Sequence, residues 1–257
     1  MLLVLDVGNS NTVLGLYDGP VLCHHWRISS SNRTADELRV TLLMLLQSAG
    51  FDPDAISGCC ISSVAPQMNA PVIQACESAF QTKPIMVGPG IKTGLVLQCD
   101  NPKEVGADRI VNAVGALDRY PGDLILIDFG TATTFDAVTE NAAWRGGIIV
   151  PGIQLSADAL FERCAKLPRV DIAIPDTVIG RNTVTNIQSG LTYGYADLVD
   201  GLIRRMAVEM GGDPTVVATG GLASVIAGLT QSIDHVDTDL TLYGLYLIYD
   251  KNRKQTE

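Results

Sequence analysis

The chain has 257 residues, 47% of them hydrophobic and 18% charged, with a formal net charge of −10. That is ample apolar material for one large packed domain or two smaller ones, and it excludes an intrinsically disordered chain. There is no run of Lys or Arg and no window near the ~18 apolar residues of a membrane span, so no nucleic-acid and no membrane partner is expected.

Residues 2–7, 12–18 and 21–28 read as three successive strands, with Asp18-Gly19-Pro20 as a turn. The apolar opening has no basic flank and Asp6 interrupts it, so it reads as a strand and not as a signal peptide; a cytoplasmic location is expected. Thr34 is placed to cap a helix to about Ala49. Glu37 completes a capping box, and Leu38, Leu42, Leu45 and Leu46 form the apolar face. A buried strand is expected at 56–61, a helix from Pro66 to about Phe80, and a short strand at 84–87. After a loop to Pro102, residues 106–117 read as a helix.

Tyr120-Pro121-Gly122 breaks the pattern, which then restarts. Strands at 124–128, 133–138 and 147–150 repeat the opening three, and a helix follows Pro151-Gly152 to about Ala165. Residues 166–182 read as an irregular loop, and a long helix spans about 184–210 despite Gly190, Gly194 and Gly201. A strand at 216–219 runs into Gly220-Gly221, which opens another helix. A final helix from 240 to about 251 carries Leu242, Leu245, Tyr246 and Tyr249. The expected fold is α/β: two similar subdomains, 1–119 and 120–257, each a mixed sheet with flanking helices, and a ligand cleft between them.

The repeat is also chemical. Leu3-Val4-Leu5-Asp6-Val7-Gly8-Asn9-Ser10 and Ile125-Leu126-Ile127-Asp128-Phe129-Gly130-Thr131 are both apolar strands ending in Asp-x-Gly before small polar residues. Such a turn can offer backbone N–H groups to phosphate, with Gly8 allowing close approach and Asn9, Ser10, Asn11 and Thr12 adding donors. Asp6 can hold Mg²⁺ directly or through water. The alternative is an ordinary hairpin whose Asp and Asn cap the turn. Asp128 can ligate a metal, bind a monovalent cation or orient water, or it can be a hydrogen-bonded turn residue; among Thr131, Thr133 and Thr134, at least one is expected to serve packing.

Gly106-Ala107-Asp108-Arg109 opens a helix, whose N-terminal dipole favours an ionised Asp108 and makes it a weak base. Phosphoryl transfer tolerates a weak base, and Arg109 can grip a carboxylate in bidentate fashion; equally, Asp108 can simply stabilise the first turn. Thr183 stands where a helix cap belongs and can also touch a substrate. Gly220-Gly221 allows either a close approach of adenine to the backbone or a tight turn. The six Cys and three His show no metal-ligand spacing, and buried reduced thiols are expected.

Taken together, Asp6-Val7-Gly8-Asn9-Ser10, Gly106-Ala107-Asp108-Arg109, Asp128-Phe129-Gly130-Thr131-Ala132-Thr133-Thr134 and Gly146-Gly147-Ile148-Ile149-Val150-Pro151-Gly152 resemble type III pantothenate kinase, the Bvg accessory factor family. Thr183 with Gln188-Ser189-Gly190, and Thr219-Gly220-Gly221-Leu222, extend the resemblance over nearly the whole chain. It implies the actin-like ATPase superfamily fold, with two ribonuclease H-like domains. It also implies a homodimer that phosphorylates pantothenate with ATP, Mg²⁺ and a monovalent cation, K⁺ or NH₄⁺. By the same resemblance, Asp6, Val7, Gly8, Asn9, Ser10, Asn11, Thr12 and Val13 bind ATP phosphates and Thr131 touches ATP. Asp108 accepts the proton of the pantothenate hydroxyl. Gly106, Ala107, Asp108, Arg109 and Thr183 contact substrate, and Asp128 holds the monovalent cation. One departure stands out at a substrate-contacting position. Many family members carry Tyr in the segment before Asn-Pro, whereas Cys99-Asp100-Asn101-Pro102 occupies it here, and Cys99 offers no phenol hydroxyl or aromatic wall. The rival expectations are a kinase of the same superfold with another hydroxyl substrate, and a nucleotide-binding regulator without catalysis.

Overall fold

The computed structural model describes residues 1–30 and 32–253. In chain order its elements are β1 (Leu2–Val7), β2 (Asn11–Asp18), β3 (Val21–Ser29), α1 (Ala35–Ser48), β4 (Gly58–Ser63), α2 (Pro66–Phe80), β5 (Ile85–Met86), β6 (Val96–Leu97) and α3 (Ala107–Arg119). There follow β7 (Leu124–Phe129), β8 (Ala132–Val138), β9 (Ala143–Pro151), α4 (Ile153–Arg163), α5 (Thr183–Met210), β10 (Thr215–Gly220), α6 (Ala223–Ala227), β11 (His235–Val236) and α7 (Leu240–Asn252).

The chain forms two compact units. The first comprises Met1–Leu95, Asp100–Gly115 and Asp239–Glu257, and the second Val96–Cys99 and Ala116–Thr238. A single cut after residue 119 does not separate them: β6 belongs with the second unit, and α7 returns to the first. The reason for the return is packing. Leu242, Leu245 and Ile248 of α7 bury against Leu2 and Val4 of β1, together with Val111 and Val114 of α3.

In the first unit the sheet order is β3-β2-β1-β4-β5, with β1 antiparallel to β2 and parallel to β4. Alternation along β1 sorts its side chains between two layers. Leu3, Leu5 and Val7 meet α1 and α2, whereas Leu2 and Val4 meet α3 and α7. The capping box of α1 forms as expected: the Glu37 N–H donates to Thr34 Oγ1 at 3.3 Å, and the Thr34 N–H donates to the Glu37 carboxylate at 2.8 Å. Leu38, Leu42 and Leu46 are buried one turn apart, each contributing about 1.5–3 kcal/mol. Where α3 crosses α7, glycine is required. A Cβ on Gly244 would collide with the carbonyl oxygen of Val111, and one on Gly115 would lie 2.8 Å from the Leu240 carbonyl oxygen.

In the second unit the sheet order is β11-β10-β7-β8-β9-β6, again mixed, with β7 antiparallel to β8 and parallel to β10. Ile125, Ile127 and Phe129 of β7 pack with Ile153 of α4, Tyr195 and Val199 of α5, and Ile226 of α6. The Arg119 guanidinium pairs with the Asp237 carboxylate at 2.6 Å, tying the end of α3 to the segment after β11. Cys59, Cys60 and Cys76 are buried and reduced, with burial pushing the Cys60 thiol up to about 12. Cys23 and Cys164, also reduced, are instead exposed, because they lie on β3 and beyond α4 where no layer covers them.

Candidate functional site

In the first unit, β1 delivers Asp6 to its carboxyl end, and Gly8, Asn9 and Ser10 turn the chain into β2. The Gly8 N–H donates to the Asn11 carbonyl at 3.0 Å and closes the turn. A Cβ at Gly8 would lie 2.9 Å from that same oxygen, so the turn tolerates no side chain there. Asn9, Ser10 and Asn11 are exposed at the tip. Thr12 differs from them. It is buried, and its hydroxyl shares a 2.7 Å hydrogen bond with Ser30. Val13 is half-buried opposite Asp6.

The opening of α3 lies near this strand end. The Val64 N–H donates to the Val7 carbonyl at 3.0 Å, and a Cβ at Gly106 would stand 3.6 Å from Val64 Cγ1. One residue, Val64, therefore links the end of β1 to the residue that precedes α3. Gly106, Ala107, Asp108 and Arg109 are all half-buried. The Asp108 carboxylate folds back over Gly106, where a Cβ would meet it at 2.5 Å, and accepts the Arg109 N–H at 2.8 Å. The helix dipole alone would lower the proton affinity of Asp108. Burial wins instead and raises its pKa, against the backbone N–H bond and the Arg109 charge that pull it down. Asp108 is thus a stronger base than the helix position alone implies.

In the second unit the matching turn is one residue shorter. Only Gly130 and Thr131 separate β7 from β8, and the Gly130 N–H donates to the Ala132 carbonyl at 3.2 Å. Thr131 is exposed at its tip. Asp128, half-buried at the end of β7, sits against two glycines: a Cβ at Gly220 would lie 2.6 Å from its Oδ1, and one at Gly130 3.7 Å away. Gly220 has φ +95°, a conformation glycine adopts freely. The Asp128 carboxylate is an oxygen donor of the kind a hard cation takes. Among the described residues, no group of three or more His, Cys, Asp or Glu is arranged to hold a metal, and no helix is long and apolar enough to cross a membrane.

The packing threonine is Thr133. It is buried, and Tyr195 of α5 donates to its hydroxyl at 2.7 Å while also lying 2.9 Å from the Pro151 carbonyl. Gly152 brings the start of α4 onto the turn, its N–H donating to the Thr131 carbonyl at 3.1 Å. The cap of α5 is Asn182 and not Thr183. The Asn182 side chain accepts the Thr185 N–H at 2.9 Å, and Thr183 is the first helical residue. The Thr183 hydroxyl is therefore not used in capping. Thr183 lines a shallow groove of about 550 Å³ with Leu160, Leu167, Asn186, Ile187, Gly190 and Leu191. Cys99 is half-buried and follows β6 in the second unit, whereas Gly106, Ala107, Asp108 and Arg109 lie in the first. Sequence reasoning read Gly220-Gly221 as an adenine approach or a tight turn and Pro151-Gly152 as the lead into a helix, but it placed neither Gly220 against Asp128, nor Gly152 against Thr131, nor Tyr195 against Thr133.

Comparison with known proteins bears on this arrangement. Residues 2–205 match the profile of the type III pantothenate kinase family. A type III pantothenate kinase of Anaeromyxobacter sp. (strain Fw109-5) is 54% identical over 254 residues, covering 98% of this chain and 100% of the relative. That of Exiguobacterium sp. (strain ATCC BAA-1283 / AT1b) is 51% identical, covering 99% and 100%. Among solved structures, a Baf family transcriptional activator from Campylobacter jejuni superposes with a TM-score of 0.64 at 17% identity, covering 98% and 99% of the two chains. The ROK hexokinase from Thermus thermophilus gives 0.53 at 13% identity, covering 99% of each. These structural likenesses establish the actin-like ATPase fold. The sequence matches, running from end to end, establish that this chain belongs to the type III pantothenate kinase family.

Proposed function

We propose that this chain transfers the γ-phosphoryl group of ATP to the primary hydroxyl of pantothenate, giving 4′-phosphopantothenate, the first step of coenzyme A biosynthesis. One observation carries the proposal. A chain matched over its length to type III pantothenate kinases keeps, at the first turn of α3, a carboxylate whose burial raises its proton affinity. In this role Asp108 accepts the hydroxyl proton as the phosphoryl group departs, a step that demands little of the base because the transition state is loose.

The other residues hold the reactants. Gly8, Asn9, Ser10 and Asn11 offer backbone and side-chain donors to the ATP phosphates, with Val7, Thr12 and Val13 framing the turn. Thr12 acts through its backbone in this scheme, because its hydroxyl is engaged with Ser30. Thr131 touches ATP from the second turn. Arg109 anchors the pantothenate carboxylate, and Gly106, Ala107, Thr183 and Cys99 complete the acceptor contacts. Asp6 fits a hydrated Mg²⁺ that arrives with the nucleotide, since Mg²⁺ keeps several waters and takes one or two carboxylates beside phosphate oxygens. When bound, Mg²⁺ neutralises charge on those oxygens. Asp128 fits K⁺ or NH₄⁺, which offsets phosphate charge in a protein whose own balance is −10. The enzyme is read as a cytoplasmic homodimer.

The residue-level test is Asp108→Asn. ATP affinity should persist while kcat falls by about 10²–10⁴, the usual contribution of a positioned base. Near-normal turnover would remove Asp108 from this role. Replacing K⁺ and NH₄⁺ by Na⁺ should collapse activity, and equal rates in all three salts would refute a cation at Asp128.

A further inference from the structure

We propose that Ser62 is a positioning residue for Asp6, its hydroxyl holding the Asp6 carboxylate when Mg²⁺ and ATP are bound. The proposal rests on the reading that Asp6 faces the cation of the nucleotide. Ser62 is fully buried, and its Oγ makes no hydrogen bond. A hydroxyl kept from water without a partner is unfavourable, whereas Ala would fit the same site without that penalty. An unsatisfied group retained in a core calls for a state of the protein in which it is satisfied.

The sheet points to that state. β1 and β4 run parallel, and Ser62 is the register partner of Asp6. Parallel neighbours lie about 4.8 Å apart with side chains of a register pair on one face. That face is the one on which Val4 and Cys60 meet α3 and α7. At that spacing, a change of the Ser62 side chain between staggered wells can bring Oγ–H within the ~2.5–3.0 Å reach of a carboxylate oxygen. The adjacent hydroxyl cannot substitute. Ser63 points to the opposite face by alternation, and its Oγ accepts the Ala65 N–H at 3.2 Å. Both strands also end here, beside Val64 and the start of α3, and the carboxyl end of a parallel pair is where open α/β sheets bind ligands.

The test compares wild type, Ser62→Ala, Ser62→Cys and Asp6→Asn by calorimetric titration with ATP, once with Mg²⁺ and once with EDTA, together with urea unfolding. Ser62→Ala should unfold at the same or higher urea concentration, lose about tenfold in ATP affinity with Mg²⁺, and bind ATP in EDTA like wild type. Ser62→Cys keeps the volume but not the strong donor and should match Ser62→Ala. Wild-type affinity with Mg²⁺ in both variants would overturn the proposal. So would destabilisation of Ser62→Ala with equal affinity losses in Mg²⁺ and EDTA, the mark of a packing role. If Asp6→Asn leaves the Mg²⁺ enhancement intact, the reading of Asp6 fails and takes this proposal with it. If Asp6→Asn abolishes the enhancement and the Ser62 variants keep it, the Ser62 proposal alone falls. A wild-type chain that shows the expected nucleotide effects but ignores pantothenate would refute the acceptor and still support Ser62.

Discussion

Gly220→Ala drives a methyl group into the carboxylate at the end of β7. Gly220 is the register partner of Phe129, and Thr219 that of Asp128. The added Cβ would lie 2.6 Å from Asp128 Oδ1 and 2.7 Å from both the N and the O of Phe129. Two of those three atoms are sheet backbone, so relief must come from displacing Asp128 or from parting β10 and β7. The backbone at φ +95° adds strain of its own. An L residue in left-handed space costs about 1–2 kcal/mol and overpacking about 1–3, so a loss of about 2–5 kcal/mol is expected. Urea unfolding reads that loss, and kinase activity titrated with KCl reads the displacement of Asp128 as a weakened response to K⁺. A variant within about 0.5 kcal/mol of wild type, with an unchanged K⁺ response, would refute both the crowding and the assignment of Asp128.

Two further expectations concern single groups. A carboxyl whose proton affinity rises on folding is most favourable when protonated and loses that contribution as pH rises through its folded value. Asp108 is such a group. Asp108→Asn should therefore resist urea better than wild type at neutral pH, the gap narrowing as pH falls through the carboxylate range; no gap at any pH would contradict the burial that raises Asp108. Thr34→Ala removes the cap of α1 and should lower stability by about 0.5–2 kcal/mol without changing kcat or KM. A kinetic effect in that variant would tie α1 to catalysis.

Local chemistry was legible in the sequence where it was self-contained. Thr34 with Glu37 and Pro66 with Phe80 mark helix ends by groups close in the chain, and those ends fall where expected. Two-residue strands such as β6 and β11 carry no periodicity, and their pairing with β9 and β10 depends on distant partners. Thr183 was read as standing where the cap of α5 belongs, but the cap is Asn182 one residue earlier: both residue types cap well, and only the backbone decides which one turns its side chain to Thr185. The apolar face of α7 was readable, but not the β1 surface that covers it. The same holds for the site. Asp6, Asp108 and Asp128 stood out as acids at element ends. The burial that strengthens Asp108, the Gly220 contact beside Asp128 and the unsatisfied Ser62 arise from tertiary packing, which no local pattern encodes.

Phosphoryl transfer to pantothenate is decided by ATP consumption measured with and without pantothenate, in Mg²⁺ and K⁺. ADP should form only when pantothenate is present, in step with 4′-phosphopantothenate. ATP turnover indifferent to pantothenate, or ATP binding with no turnover at all, would contradict it.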